Sequence, residues 1–454
     1  MKRVLIANRG EIACRIIRAC NSLKMASIAV YSEADAKALH VTQATEAVLI
    51  GPSKPAQSYL DMNRILQAAR ETGADAIHPG YGFLSENAEF ARRVEAEGLI
   101  WIGPAPDTIT AMGDKDRARQ LAARAGVPIL SGSSRFLPDD TSALAGAAER
   151  VGFPLLVKAA AGGGGIGMQR VDVPEALAKT VEATMTMAER AFGNASVFLE
   201  RFIPRARHIE IQVFGFGDGR AVHVFERECS LQRRFQKIVE ESPAPGLASG
   251  IRDRMAAAAV ALAEQERYRG AGTVEFVYEE ESGEFFFLEM NTRIQVEHPV
   301  SEAISGMDLV GLQLQLARGD DLSALTQDTI HASGHAIECR IYAENPAMMF
   351  LPSPGKLEEL ALPCPAAGLR VDTGVRSGDQ ITPFYDPMIA KLIAHGETRD
   401  EALTKMREAL AGSHIKGIKN NLAFLARLLD DPDVVAGRLD TRLVDRKRET
   451  LATD

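Results

Sequence analysis

The stretch Phe285-Phe-Phe-Leu-Glu-Met-Asn-Thr-Arg-Ile-Gln-Val-Glu-His-Pro299 limits the fold more than any other part of the chain. Run as an extended strand, it puts Glu289, Asn291, Arg293, Gln295 and Glu297 on one face and Leu288, Met290, Ile294 and Val296 on the other. A solvated strand face could carry such polar residues. It would need neither the three consecutive phenylalanines nor an alternation of acid, amide, base, amide and acid. The pattern therefore predicts a buried ribbon with a row of chemistry on one side. Gly272-Thr-Val-Glu-Phe-Val-Tyr278 and Glu284 to Asn291 read as an antiparallel pair joined by Glu-Glu-Glu-Ser-Gly. Each strand carries one acid among apolar neighbours, Glu275 and Glu289. Burying two carboxylates side by side is costly unless a cation lies between them. Nearby arginines could supply it, but Asn291, a neutral oxygen ligand, favours magnesium.

The front of the chain alternates strand and helix. Residues 3 to 7, 26 to 31, 76 to 78 and 99 to 102 read as strands, and residues 11 to 23, 60 to 72 and 87 to 97 as helices. That order predicts a doubly wound, mostly parallel sheet. The loop after the first strand has no G-x-G-x-x-G, so nothing there points to a dinucleotide. His78-Pro-Gly-Tyr-Gly-Phe-Leu-Ser-Glu-Asn87 follows a strand end, where such sheets place ligands, although a tight Pro-Gly connection would look the same. Tyr81 and Glu86 are its side chains of interest.

A boundary is expected near residue 113. Beyond it, Phe153 to Ala160 is a strand carrying Lys158, and it leads into Ala161-Gly-Gly-Gly-Gly-Ile-Gly-Met168. A glycine run lets the backbone approach an anion and point several N–H groups at it. Because Met168 to Val173 reads as a strand and not a helix, the glycines are expected at the tip of a hairpin, a mobile lid over phosphates. Further on, Ser196 to Phe202 is a strand that includes Glu200. The alternation from His208 to Val213 groups His208, Glu210 and Gln212. Arg227, Arg233, Arg234 and Lys237 lie between two hairpins and are expected to line a site.

Net charge is −9, from 52 basic against 61 acidic side chains, which argues against nucleic acid as the main partner. The five cysteines, at 14, 20, 229, 339 and 364, form no C-x-x-C pair, so neither zinc nor redox chemistry is signalled and a reducing compartment is expected. With neither a secretory h-region nor an apolar run long enough for a bilayer, the expectation is a cytoplasmic protein that binds no membrane. At 454 residues, two to four domains are expected.

Several long motifs occur together and in order: Ala7-Asn-Arg-Gly-Glu-Ile-Ala13, the His78 to Asn87 segment, Lys158 with its glycine flap, Glu228-Cys-Ser-Leu-Gln-Arg-Arg-Phe-Gln-Lys237, Glu289 to Pro299, Gly334-His-Ala-Ile-Glu-Cys-Arg-Ile-Tyr-Ala-Glu344, Phe350-Leu-Pro-Ser-Pro-Gly355 and Tyr385-Asp-Pro-Met-Ile-Ala-Lys391. With them the chain resembles biotin carboxylase of the ATP-grasp superfamily over nearly its whole length. The resemblance implies an α/β protein with three domains: a doubly wound N-terminal domain over 1–113, an ATP-grasp domain over 114–332 with its lid at about 131–203, and a C-terminal α+β domain over 333–445.

It also implies roles. Lys115, Lys158 and the flap glycines Gly163, Gly164 and Gly165 would contact nucleotide phosphates. Glu200 and the backbone near Ile203 would hold adenine, with His208 and Gln232 along the ribose. Glu275, Glu289 and Asn291 would bind magnesium or manganese. Lys237, Arg293, Gln295 and the backbone of Val296 would hold bicarbonate. Glu297, flanked by Arg293, would be the general base, Arg340 would stabilise the enolate-like oxygen of biotin, and Tyr81 would help receive biotin. Two positions depart from the family pattern: Ile166 stands where the flap usually has lysine or arginine, and Phe235 where histidine is common. Without a Met-Lys-Met site the biotin must arrive on a carrier protein or domain. A carboxyltransferase partner is expected too, and a homodimer with the helix bearing Arg15 near its interface. A different ATP-grasp ligase would need neither Arg293-x-Gln-x-Glu297 nor Arg340, and a nucleotide-sensing module would not need the metal acids.

Overall fold

The computed structural model describes residues 1–160 and 167–452. At the N-terminus, β1 (Arg3–Ile6), β2 (Ala26–Ser32), β3 (Glu46–Gly51), β4 (Ala76–His78) and β5 (Ile100–Trp101) form a parallel sheet in the order β3-β2-β1-β4-β5. This is the doubly wound layer that the alternation predicts. The edge strand β3 escapes the periodicity because it is half exposed and reads neither as an apolar run nor as a clean alternation. Pairing Ile6 with His78 brings the loops after β1 and β4 together. There Asn8 Nδ2 donates to the carbonyls of Pro79 and Tyr81, each at 2.7 Å. Gly80 sits between them at φ +63°, and a Cβ on it would come within 2.9 Å of that amide nitrogen. A side chain there would be strained and would displace Asn8, so the glycine is what lets the tyrosine loop close on its anchor.

A small antiparallel sheet follows, with β6 (Leu155–Ala159) between β7 (Met168–Val171) and β8 (Val197–Arg201). The pairing of Lys158 with Met168 makes β6 and β7 the two arms of the expected hairpin. The glycines at 163 to 165 and Ile166 lie outside the described residues. Helices Leu144–Val151 and Leu177–Phe192 cover one face of this sheet with their own core, built from Leu144, Leu155, Val181 and Leu199.

Eight further strands build one large sheet: β13 (Glu284–Asn291), β12 (Arg269–Glu279), β9 (Ala206–Phe216), β10 (Ala221–Arg233), β11 (Gln236–Ser242), β14 (His335–Tyr342), then the strands Met388–Gly396 and Leu369–Thr373; short strands in the C-terminal region form three two-stranded ribbons beside it. The charged run after Arg227 is therefore the end of β10, a turn at Arg234 and Phe235 with positive φ at both, and β11. Phe285 and Phe287 point into the core formed with Phe276, Ile209, Ile211 and the helix Ser249–Gln265, which is why the phenylalanine run precedes the polar series.

The extended alternation fails beyond Asn291. Asn291, opposite Thr273, is the last paired residue of the edge strand β13. The next amide, Thr292 N, donates to Glu86 Oε1 at 3.1 Å, and residues 292 to 297 leave the sheet towards the helix His298–Ser305, which Pro299 opens in its first turn. Proline fixes φ and supplies no ladder donor, so the strand cannot run on. No described helix is long and apolar enough to cross a membrane.

Candidate active site

A cleft of about 740 Å³ opens between the end of the N-terminal sheet, the lid strands and the large sheet. Its walls include all the described residues to which the resemblance gave roles except Ile203, which is buried just beyond β8. Of the charged run expected to line a site only Lys237 does so: Arg227 lies below the cleft, Arg233 pairs with Glu344 and Arg234 donates to the carbonyl of Met349 at 3.1 Å, because the turn between β10 and β11 carries both away from it. Residues from positions 8 to 388 thus converge on one space, and the polar face of β13 continues into it although the backbone after Asn291 is no longer extended.

At one end, Lys115, Lys158, Glu200, His208 and Gln232 surround the lid side. Lys158 Nζ donates to Glu200 Oε2 at 2.6 Å, and Arg119 Nη1 approaches Glu200 Oε1 at 3.3 Å. Burial pushes the Lys115 ammonium below its ordinary value, and the nearby charge of Lys158 pushes it further. An anion beside Lys115 would offset both the burial and the repulsion. Gln232 Nε2 lies 3.0 Å from His208 Nδ1, which leaves the His208 Nε2 side 3.1 Å from Glu275.

The acid corner follows the predicted hairpin. Glu275 and Glu289 are direct cross-strand partners on β12 and β13. Their surroundings differ. Glu275 receives Lys237 Nζ, Asn291 Nδ2 and Gln295 Nε2, each at 2.9 Å. Burial opposes its ionisation, but Lys237 and His208 outweigh burial and hold it well below the usual carboxylate range. Among the described residues no hydrogen bond or ion pair reaches Glu289, and burial, then Glu275, raises its pKa. One satisfied carboxylate beside one that lacks a hydrogen-bonded partner fits a divalent cation, which Glu275, Glu289 and Asn291 would hold and which would offset the acids' charge. A tighter cluster, His208, Glu210 and Glu275, already holds a cation of its own, because Lys237 Nζ lies 2.6 Å from Glu210 and 2.9 Å from Glu275.

The environment of Glu297 differs from the expectation. Arg293 does not flank it; the guanidinium pairs with Glu86 at 3.0 Å and donates to Asn291 Oδ1 at 3.0 Å. With the chain turning after Asn291, Arg293 leans back towards Asn291 and Glu86. The partners of Glu297 are Lys237, whose Nζ donates to Oε1 at 2.6 Å, and Arg340, whose Nη2 donates to Oε2 at 3.0 Å. Burial would raise the pKa of Glu297, but Lys237, Arg340 and Arg227 overcome it and keep the carboxyl far below its usual range. Tyr81 hydroxyl donates to Glu11, which also pairs with Lys391 at 3.2 Å, and Lys391 Nζ donates to the carbonyl of Val296 at 2.6 Å.

Known proteins resemble this chain over its length. Residues 1–109 match the family described as biotin carboxylase, N-terminal domain; residues 114–325 match carbamoyl-phosphate synthase L chain, ATP binding domain; and residues 338–446 match biotin carboxylase C-terminal domain. Biotin carboxylase 1 of Bacillus subtilis is 48% identical over 445 residues, 98% of this chain and 98% of that protein. The chain belongs to the biotin carboxylase family. It is accordingly an ATP-dependent ligase of the ATP-grasp fold. The mitochondrial methylcrotonoyl-CoA carboxylase subunit alpha of Dictyostelium discoideum is also 48% identical, over 451 residues, 99% of this chain, and the chain spans 64% of that protein's length. Among solved structures, the biotin carboxylase domain dimer of the Hydrogenobacter thermophilus 2-oxoglutarate carboxylase, crystallised with MgADP, ADP and bicarbonate, superposes with a TM-score of 0.95 at 42% identity, covering 100% of this chain and 99% of that one.

For a member of the biotin carboxylase family, the support beneath the site is as telling as its walls. Arg227 is fully buried and donates to Glu210 at 2.5 Å, Gln212 at 2.6 Å, Gln295 at 2.7 Å, and Thr273 and Ser301 at 3.0 Å. The sequence places Arg227 at the site only through its charge run, and the structure sets it below the cleft, where one planar fork fixes a strand acid and the amide of Gln295. Glu210 is visible in the sequence only as one member of the β9 alternation. Glu86, singled out with Tyr81, holds Arg293. Lys391, which has no periodic signal, anchors the Val296 carbonyl. Phe235 sits at the cleft rim, 59% exposed. Arg15 is buried within its own chain, paired with Glu302 at 2.8 Å and with Asp308.

Proposed function

We propose that the chain carboxylates biotin, presented on a carrier protein or domain, using ATP and bicarbonate, and that the residues of the cleft divide this work as follows. The observation that supports the division best is Lys237, whose single ammonium touches Glu210, Glu275 and Glu297 at 2.6, 2.9 and 2.6 Å. It joins the acid corner to the base, so an anion seated against it touches both.

Lys115 and Lys158 would hold the nucleotide phosphates, with Glu200, His208 and Gln232 along the nucleoside. Glu275, Glu289 and Asn291 would hold magnesium, which when bound neutralises the phosphate charge that develops in transfer. Bicarbonate would lie against Lys237, Arg293, Gln295 and the backbone of Val296. Glu297 enters ionised, which a base requires. While Lys237 and Arg340 are both turned to it, however, it holds a proton poorly. When the bicarbonate anion takes hydrogen bonds from Lys237, part of that stabilisation goes to the substrate and the proton affinity of Glu297 rises. Its free oxygen then accepts the bicarbonate proton as the γ-phosphate is attacked. Arg340, a buried cation in the wall of the cleft, is placed to stabilise negative oxygen on the biotin ring. Tyr81, held by the Asn8 anchor, would shape the ring's seat.

The relatives act on different acceptors by name, so the final acceptor depends on the carboxyltransferase partner. A homodimer with its interface near the helix Gly10–Ser22 is part of this reading. The deciding assay mixes protein, Mg-ATP, bicarbonate and free biotin and follows ADP. Release that rises with both bicarbonate and biotin is expected; release indifferent to both would overturn the proposal.

A further inference from the structure

Behind Arg340 lies a pair of acids that the reaction just described does not use. Glu240 on β11 and Glu338 on β14 are direct antiparallel partners, both 0% exposed. Side chains so paired point to the same face, and Arg340, two residues beyond Glu338, shares it. The helix His298–Ser305 closes that face, with Val300 and Ile304 packed on Ala336 and Ile393. Among the described residues none of the four carboxyl oxygens has an aligned hydrogen-bond partner. Glu240 has one cation contact, an ion pair with Arg340 Nη2, and the same nitrogen donates to Glu297 Oε2 at 3.0 Å. One guanidinium nitrogen is thus shared between the base and an acid behind it.

The charged and titratable groups around the pair leave it short of positive charge. From β14 comes Arg340, already shared. From β11 comes Lys237, engaged by Glu210, Glu275 and Glu297. From the strand Met388–Gly396 comes Lys391, paired with Glu11 and the Val296 carbonyl. From β10 and β14 come the buried thiols of Cys229 and Cys339, both pushed up first by burial and so uncharged. From the covering helix comes His298, kept neutral by burial and by Lys391. Two adjacent buried carboxylates with part of one cation between them cannot both stay ionised.

We propose that Glu240 and Glu338 are a proton-holding positioning pair for the carboxylation reaction, in which Glu338 keeps its proton and the charge on Glu240 sets how much of Arg340 is left for Glu297 and the substrate. The directions agree: burial raises Glu338 well above the usual range, and burial, against Arg340, brings Glu240 up to about 7. When Glu240 is ionised it draws Arg340 back; when it is neutral the guanidinium turns wholly to the cleft. The inference rests on the roles proposed for Glu297 and Arg340, and one arm of its test does not depend on turnover.

Infrared spectra of the full chain at neutral pH should show a protonated carboxyl band that disappears in Glu338→Gln, and a second band that grows as pH falls through neutrality and is absent in Glu240→Gln. In the ADP assay, Glu240→Gln should lose the inflection near neutral pH in kcat, so that kcat at about pH 8 equals kcat at about pH 6 within about twofold, with KM for ATP changed by less than about twofold. Glu240→Asp should restore an inflection at a shifted pH. If Glu240→Gln does not fold, Glu338→Gln and Glu240→Asp still carry both readouts. No carboxyl band lost in either Gln variant, or a kcat profile in Glu240→Gln that overlays the parent's, would overturn the proposal; loss of all turnover with the bands as expected would count against the proposed reaction and leave the proton pair standing.

Discussion

Replacing Lys237 by methionine removes one positive charge from three buried carboxylates while keeping most of the side-chain volume. Burial alone would lower the Lys237 pKa, but Glu210, Glu275 and Glu297 together raise it well above its ordinary value, so the ammonium is charged throughout the working range. Its side chain is 12% exposed and those of the three acids are 6% exposed or less, so solvent screens the contacts little. Breaking a buried pair by deleting one partner costs about 3–5 kcal/mol. We expect the ligand-free variant to lose stability of that order in urea unfolding of the domain that carries the large sheet. The pH dependence has a definite sign. In the parent, Glu275 and Glu297 are depressed, so their contribution is present above the unfolded carboxylate value of about 4.3 and is lost only as pH falls through their lower folded values. In the variant the same acids are buried without that cation, and their folded pKa values rise. The gap between the two proteins is therefore widest at alkaline pH and narrows as the variant takes up protons on acidification. A gap below about 1 kcal/mol at pH 8 would refute the reasoning, since an exposed pair would give no more; so would a gap that widens towards pH 4.

Glu297→Gln keeps the shape of the side chain proposed as the base and removes its proton affinity: nucleotide affinity by calorimetry should stay within about twofold while bicarbonate-dependent ADP release falls by about 10²–10⁴, and normal release would sink the assignment. Glu289→Gln should abolish the magnesium-dependent part of nucleotide binding and leave magnesium-free binding in place; equal losses with and without magnesium would place the metal elsewhere. Arg227→Met should destabilise the chain by about 3–5 kcal/mol, and Arg227→Lys should recover little because an ammonium cannot span five acceptors on different elements; full recovery by lysine would show that charge alone matters there.

The parallel sheet, the hairpin of β12 and β13 and the two arms of the lid are legible in the sequence because each is local: an apolar run, a period of two, a turn signal. The candidate side chains are legible for the same reason, as polar residues recurring inside those patterns. Three things are not. The edge strand β3 is half solvated and has no clean period. The path after Asn291 depends on Glu86, some 200 residues earlier, taking the Thr292 amide. The partners of Glu297 come from β11 and β14, strands that meet only in the folded sheet, so nearness in sequence suggested Arg293 where tertiary pairing supplies Lys237 and Arg340. Charge partnership is a long-range property, and periodicity carries no information about it.

The large sheet runs without a break from β13 to the strand Leu369–Thr373, and its β11–β14 seam joins segments that belong to different family matches. Recombination or domain grafting guided by those matches would cut between residues 325 and 338 and exchange one side of that seam. The graft would then have to rebuild four paired positions, from Val239 with Cys339 to Ser242 with Ala336, before any side chain of the cleft found its counterpart. The inheritable unit is therefore the whole plate: a C-terminal segment from a relative should transplant only together with β11.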